Sequence, residues 1–179
     1  GWSKRYENAR TDDVPAMEQM ARWLAENMPR ETGAALIHND YKYDNVLLDP
    51  DDLTRIVAVL DWEMATIGDP LMDLGSTLAY WVEENDPDML KFFVVGPTAD
   101  PGSLTRRELV DLYASRSGRD VSGMLFYYCY GLFKTAVILQ QIYARYVRGH
   151  TKDARFGALN VIVAMMSQAA VQAAESGKF

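Results

Sequence analysis

The chain is poor in the residues that would make it a secreted, metal-rich or nucleic-acid-binding protein. It has one cysteine, Cys129, so no internal disulfide can form, and a reducing, cytoplasmic setting is the expectation. Cys129 lies in an aromatic, helical run and reads as a small buried hydrophobe. There are two histidines, His38 and His150, too few for the multi-histidine sites of zinc hydrolases. Basic residues are outnumbered, 18 Lys and Arg against 25 Asp and Glu, and the net charge of −7 argues against a nucleic-acid partner. No uninterrupted apolar run approaches the ~18 residues that mark a membrane span, so no membrane partner is expected. Neither G-x-G-x-x-G nor G-x-x-x-x-G-K-[ST] occurs, so no glycine-rich loop is available to cover the phosphates of a nucleotide.

What is present is one sizeable core. The 179 residues are 49% hydrophobic, which fits a single domain over residues 1–179. Asp13 and Pro15 open a predicted helix whose Met17, Met20, Ala21, Leu24 and Met28 recur at helical spacing, ending near Pro29. Asp69-Pro70 reads as an N-cap followed by proline at the first helical position, opening a helix with Leu71, Leu74, Leu78 and Trp81 on one side. Glu83 to Asp88 breaks that helix, and residues 94–103 read as a loop. Thr105-Arg106-Arg107-Glu108 is a capping box, with Leu104 and Leu109 placed as its hydrophobic staple. A long helix opens at Asp120 or Ser122 and stops at Gly149. A last helix spans Asp153 to Glu175. The aromatic stripe Phe126, Tyr127, Tyr130, Phe133, Tyr143 and Tyr146 reads as core. Arg145 and Arg148 read as cations near a helix end.

Between the first helix and Asp69 lies the segment with chemistry. Ala34 to Ile37 is an apolar run, His38-Asn39-Asp40-Tyr41-Lys42-Tyr43-Asp44-Asn45 follows, and Val46-Leu47-Leu48 resumes the apolar pattern. Asp49-Pro50-Asp51-Asp52 supplies turn chemistry, and Arg55 to Leu60 is a β-branched return strand ending at Asp61. A hairpin brings Asp61 back beside Asn45 across sixteen positions of sequence. Two oxygen donors at one point suit Mg²⁺, which takes a few protein oxygens together with phosphate and water.

The spacing H-x-D-x-x-x-x-N followed by a second aspartate matches the catalytic loop and metal aspartate of kinases. The stretch LIHNDYKYDNVLLDP…VLDWEMATIGDPLMDLG, from Leu36, resembles the aminoglycoside phosphotransferase and choline kinase-like group of small-molecule kinases. It is close to the kinase-like domain that accompanies an acyl-CoA dehydrogenase in some proteins. The resemblance is strong over residues 36–78 and looser elsewhere. It implies an α+β, mainly α fold: a protein-kinase-like C-terminal lobe, helical, with a small β-hairpin at the catalytic loop. It implies Asp40 as catalytic base, Asn45 and Asp61 as metal ligands, and His38 and Asp73 as structural support of the loop. Lys42 is placed to steady the transferred phosphoryl group, and Glu63, two residues past the metal aspartate, reads equally as facing substrate or as solvated. The implied cofactor is Mg²⁺, the donor is ATP or GTP, and the partner is a small molecule carrying a hydroxyl group. A homodimer is left open.

Two departures narrow this. Asp61-Trp62-Glu63 stands where protein kinases have D-F-G, and only eleven residues separate Asp61 from Asp73, which leaves no room for a long phosphorylatable activation loop. The 37 residues ahead of His38 are too few for a strand-rich nucleotide lobe, and the chain begins Gly1-Trp2. The expectation is therefore a C-terminal lobe without its N-terminal nucleotide lobe, and a poor kinase by itself. Two other readings stand beside it. One is a catalytically silent kinase-like binding module; the other is a metal-dependent hydrolase using His38, Asp40 and Asp61. Asp44 and Asp69 read as solvated or capping residues.

Overall fold

A computed structural model describes residues 1–30, 33–86, 88–91 and 96–179. Among the described residues seven helices and four short strands follow in the order α1 (Trp2–Ala9), α2 (Pro15–Glu26), β1 (Ala35–Ile37), β2 (Val46–Leu48), β3 (Ile56–Val59), β4 (Thr66–Gly68), α3 (Pro70–Ala79), α4 (Asp88–Lys91), α5 (Arg106–Ser117), α6 (Met124–Val147) and α7 (Leu159–Ser176). Short 3-10 turns at Tyr43–Asn45, Trp62–Met64 and Ala154–Ala158 join them. The mainly helical α+β architecture is the one expected.

Helix α6 is the axis. Its twenty-four residues carry the aromatic run Phe126 to Phe133, and α7, α3, α1 and α2 pack round it. Tyr127, Cys129, Phe133, Ala136 and Val137 are buried against Leu71, Leu74 and Leu78 of α3 and Val163, Met166 and Ala170 of α7. Burial pushes the Cys129 thiol up to about 12, in keeping with a hydrophobic rather than a reactive cysteine. Where α3 crosses α6, two glycines meet. A Cβ on Gly131 would fall 2.2 Å from the carbonyl oxygen of Gly75, and one on Gly75 would fall 2.2 Å from that of Tyr127. Only glycine lets the two backbones come this close.

The sequence reading holds for the main elements and fails at several ends. The Asp69 side chain accepts from Leu71 N–H and Pro70 leads α3, as expected, but α3 stops at Ala79 with Trp81 beyond it. The capping box at Thr105 and Glu108 is formed in both directions. Helix α2 ends at Glu26, so Met28 is outside it and 73% exposed, and Val14 rather than Asp13 flanks its start. Asp13 instead pairs with Arg10. Asp120 spends its side chain on Ser122 N–H, which turns the chain before α6 begins behind Gly123. Leu159 starts α7, because residues 154–158 wind as a 3-10 turn capped by Asp153. The break after α3 leads into the short α4. Of the expected loop, residues 94 and 95 lie outside the described residues, and the rest is a run of turns.

Helix α1 was not foreseen. Its Tyr6 and Ala9 are buried, and α6 holds it from a distance in sequence: Gln140 Nε2 donates to Ala9 O and Thr11 Oγ1, and Trp2 Nε1 donates to Tyr130 Oη. Residues 154–176 are long and apolar enough, by length and composition alone, to cross a membrane. The sequence reading passed over them. Here Val163, Ser167 and Ala170 of that stretch are buried, with α6 and α2 packed against it.

The strands form two separate antiparallel pairs. Hairpin β2–β3 is the expected one, with Val46 opposite Val59 and a bulge between Leu47 and Leu48. The pair β1–β4, with Leu36 opposite Ile67, was not expected. It closes the segment from Ile37 to Thr66 into a loop with both chemistry-bearing stretches at its neck.

Candidate active site

The loop after β1 turns sharply at Asn39, whose φ of 66° is left-handed. Asparagine is among the few non-glycine residues that accept this conformation. Two side chains from distant elements, and that of Asn39 itself, fix the turn. Asp73 of α3 accepts His38 N–H at 2.6 Å on Oδ2 and Asn39 N–H at 2.5 Å on Oδ1. Lys134 of α6 donates from Nζ to the Asn39 carbonyl and, at 3.1 Å, to Ser76 Oγ. Asn39 Nδ2 donates to Met64 O at 3.0 Å.

His38 is 3% exposed and both its ring nitrogens are spent. Nε2 lies 2.7 Å from the Leu60 carbonyl, and Nδ1 receives the Asp40 N–H at 3.2 Å. A carbonyl can only accept and an amide N–H can only donate, so the pair fixes the neutral Nε2–H tautomer. The Trp62 ring lies 4.8 Å from the imidazole.

Asp40 then projects from the turn. Its Oδ2 accepts from Asn45 Nδ2 at 3.0 Å and faces Lys42 Nζ at 3.0 Å. Its Oδ1 accepts from Tyr80 Oη at 3.1 Å. Asn45 Nδ2 also donates to Asp40 O at 2.8 Å. The Lys42 ammonium sits 4.8 Å from the Tyr80 ring centroid, a cation–π contact. Burial, and after it the Asp40 carboxylate, push the Tyr80 phenol well above its ordinary range, so it stays a donor. An ionised carboxylate offers about four lone-pair sites. Among the described residues three are used, and the open one is on Oδ1.

Asp61 follows directly on Leu60, whose N–H donates to Asn45 O at 2.8 Å, so the hairpin carries Asp61 back to Asn45. Like Asn39, Asp61 is left-handed, with φ 62°. Its carboxylate is exposed, and among the described residues nothing donates to it or to Asn45 Oδ1. These are two unclaimed oxygen donors on adjoining backbone, a hard-ligand set of the kind Mg²⁺ takes. Glu63 and Asp44 are exposed. A cavity of about 250 Å³ opens beside the carboxylate, sharing Lys42 and Tyr80 with it and walled by Tyr41, Tyr43 and Trp81.

The structure thus brings His38, Asp40, Lys42, Asn45, Asp61 and Asp73 together and leaves Glu63 in solvent. The metal-dependent hydrolase reading finds no support in it. His38 has no nitrogen to offer, and among the described residues no three His, Cys, Asp or Glu side chains cluster to hold a metal. Tyr80, Ser76 and Lys134 escaped the sequence reading. For Lys134 a signal existed, a lone cation in the apolar run from Leu132 to Leu139; Tyr80 had none.

A helical lobe carrying an antiparallel hairpin and a carboxylate loop of this geometry is the fold of protein-kinase-like phosphotransferases. The chain belongs to the phosphotransferase enzyme family, whose model matches residues 1–108. A protein of Ralstonia eutropha jmp134 assigned as an aminoglycoside phosphotransferase superposes with a TM-score of 0.83 at 29% identity, over 98% of this chain and 53% of that one. Acyl-CoA dehydrogenase family member 10 of Mus musculus is 34% identical over 155 residues, 86% of this chain and 14% of its own length. Viomycin phosphotransferase of Streptomyces vinaceus is 30% identical over 133 residues, 65% of this chain and 45% of its own. The chain therefore spans about half of the matched structure and a small part of the dehydrogenase relative.

Proposed function

We propose that this chain is the catalytic-loop and acceptor-side part of a kinase that moves the γ-phosphate of ATP or GTP to a hydroxyl group of a small molecule. The observation that carries the reading is the Asp40 carboxylate. Three donors fix its orientation, one lone pair on Oδ1 stays open, and two unclaimed oxygen donors stand on the neighbouring hairpin.

In this reading the acceptor hydroxyl donates to the open lone pair of Asp40 Oδ1. Asp40 takes that proton as the acceptor oxygen bonds to the γ-phosphorus, and the bond to the β-phosphate oxygen breaks, releasing the nucleoside diphosphate. Asn45 Oδ1 and Asp61 would hold Mg²⁺, which offsets the negative charge of the phosphate oxygens. Lys42 uses one N–H on Asp40 and keeps two for the transferred phosphoryl group. Tyr80 restrains the carboxylate and supplies one wall of the cavity next to it.

The test is Asp40→Asn in the full-length protein that contains this chain. Loss of a positioned general base costs about 10²–10⁴-fold in turnover. Affinity for the Mg-nucleotide, measured by calorimetry, stays within a few-fold of the parent. Unchanged turnover in the variant sinks the assignment. Product formation by the parent with any hydroxylated acceptor disposes of the catalytically silent module.

A further inference from the structure

We propose that Lys134 is a positioning residue of the phosphotransfer site, whose buried ammonium holds the catalytic loop in its active turn through the Asn39 carbonyl. The inference rests on the kinase reading above and adds to it a residue from the far side of the molecule.

The placement is specific. Lys134 is 1% exposed in the middle of α6, and its stem runs to the base of the loop rather than out to solvent. A lysine this deep is rare, because burying a cation is costly unless it is paired or hydrogen-bonded. Here the ammonium has two acceptors, Asn39 O and Ser76 Oγ. The close crossing of Gly75 and Gly131 explains the reach. Ser76 adjoins Gly75, and Lys134 stands one turn after Gly131, so a tight crossing leaves the ammonium level with the loop. Asn39 is the left-handed residue of that loop, and the carbonyl fixed by Lys134 belongs to the peptide bond whose N–H is that of Asp40. Asp73 fixes the two preceding N–H groups. Lys134 therefore completes the grip at the peptide that aims Asp40.

Burial lowers the Lys134 ammonium to about 8. Asp40 of the loop and Asp73 of α3 act against that fall, and Lys42 of the loop adds to it. The neutral amine formed above that value still carries N–H groups for Asn39 O, so the grip rests on where the nitrogen is held, by the packing of α6 against α3, and not on its charge. A merely structural lysine gives a different pattern, with stability lost throughout and no fall in kcat separate from it.

The experiment compares the full-length protein with Lys134→Met, a neutral side chain of similar length, and with Lys134→Gln in case the first folds poorly. Expected is a kcat fall of about 100-fold, the cost of slight misplacement of a reacting group, with KM for the Mg-nucleotide little changed. Hydrogen exchange of the backbone amides of residues 38–41 is measured in parallel, corrected for intrinsic rates, with the interior of α6 as control. Protection falls in both variants at residues 38–41 and falls less within α6. A variant with kcat within about twofold of the parent overturns the proposal. So does loop protection that the substitution leaves unaltered, or that falls no further than protection within α6. If the parent turns over no acceptor at all, the kinase reading fails, and the exchange measurement alone decides whether Lys134 holds the loop.

Discussion

Replacing Asp73 is expected to open the loop from His38 to Asn45 while leaving the helical core folded. Its two carboxylate oxygens take the N–H groups of His38 and Asn39, residues only 3% and 9% exposed, so water has little access to replace it. Hydrogen bonds to a charged acceptor contribute about 1.5–3 kcal/mol each, which puts both together at about 3–6 kcal/mol. Because both donors lie in one turn, the loss appears as local opening. In Asp73→Ala the lower figure already corresponds to a roughly 100-fold fall in hydrogen-exchange protection of those two amides. Asp73→Asn keeps one neutral acceptor and turns an amide NH₂ toward the other N–H, so it recovers less than half of the loss. The assay is peptide-resolved exchange on the full-length protein, read at residues 38–40 and, as internal control, within α6. Amides in Asp73→Asn protected to within about threefold of the parent would refute the reasoning.

Two further outcomes follow from the same frame. Gly131→Ala gains about 1 kcal/mol of helix propensity, yet its Cβ would lie 2.2 Å from Gly75 O, a backbone atom that cannot swing aside, so an overpacking cost at the upper end, about 3 kcal/mol, outweighs the gain and leaves a net loss of about 2 kcal/mol. A higher urea midpoint in this variant would contradict the glycine crossing. Lys134 predicts a rise of stability with pH: its ammonium falls from 10.5 when exposed to about 8 in the fold, so between those values the unfolded chain binds more protons. The cost of burying the cation is full below about pH 8 and is relieved as pH rises toward 10.5, a slope that Lys134→Met removes; parallel pH–stability curves for parent and variant would contradict it.

The carboxylates and amides were legible because their information is local. The run from His38 to Asn45 fixes residue types at fixed spacing, and Asp49-Pro50 with the β-branched stretch to Val59 announces the hairpin that returns Asp61. The capping box at Thr105 and the Asp69-Pro70 start of α3 were legible for the same reason. Strand β4 was not. Three residues give no measurable alternation, and its partner β1 lies about thirty positions away. Helix α1 has few apolar residues, and what holds it is Gln140, on a helix far along the chain. The partners of Tyr80 and Lys134 were hidden in a further sense. Nothing in their neighbourhoods says which carboxylate or carbonyl the fold will set before them.

The hydrogen bonds at this site divide by the part of the loop they take hold of, and the division bears on how it works. Asp73 and Lys134 take the backbone of residues 38 and 39, two N–H groups from α3 and one carbonyl from α6. His38 carries the grip to the hairpin through Leu60 O, and Leu60 N–H returns it to Asn45. The supports that cross from distant elements thus act mainly on peptide groups and, among the described residues, leave the outward side chains their open valences: one lone pair on Asp40, one oxygen on Asn45 and the carboxylate of Asp61. The proposed phosphotransfer would need this arrangement, because charge would move between groups whose positions must not move with it. The left-handed turns at Asn39 and Asp61 belong to the same design: each costs some backbone energy and persists because neighbouring bonds over-determine it. Relaxing either turn would release strain locally and swing a carboxylate away from the point where the others meet.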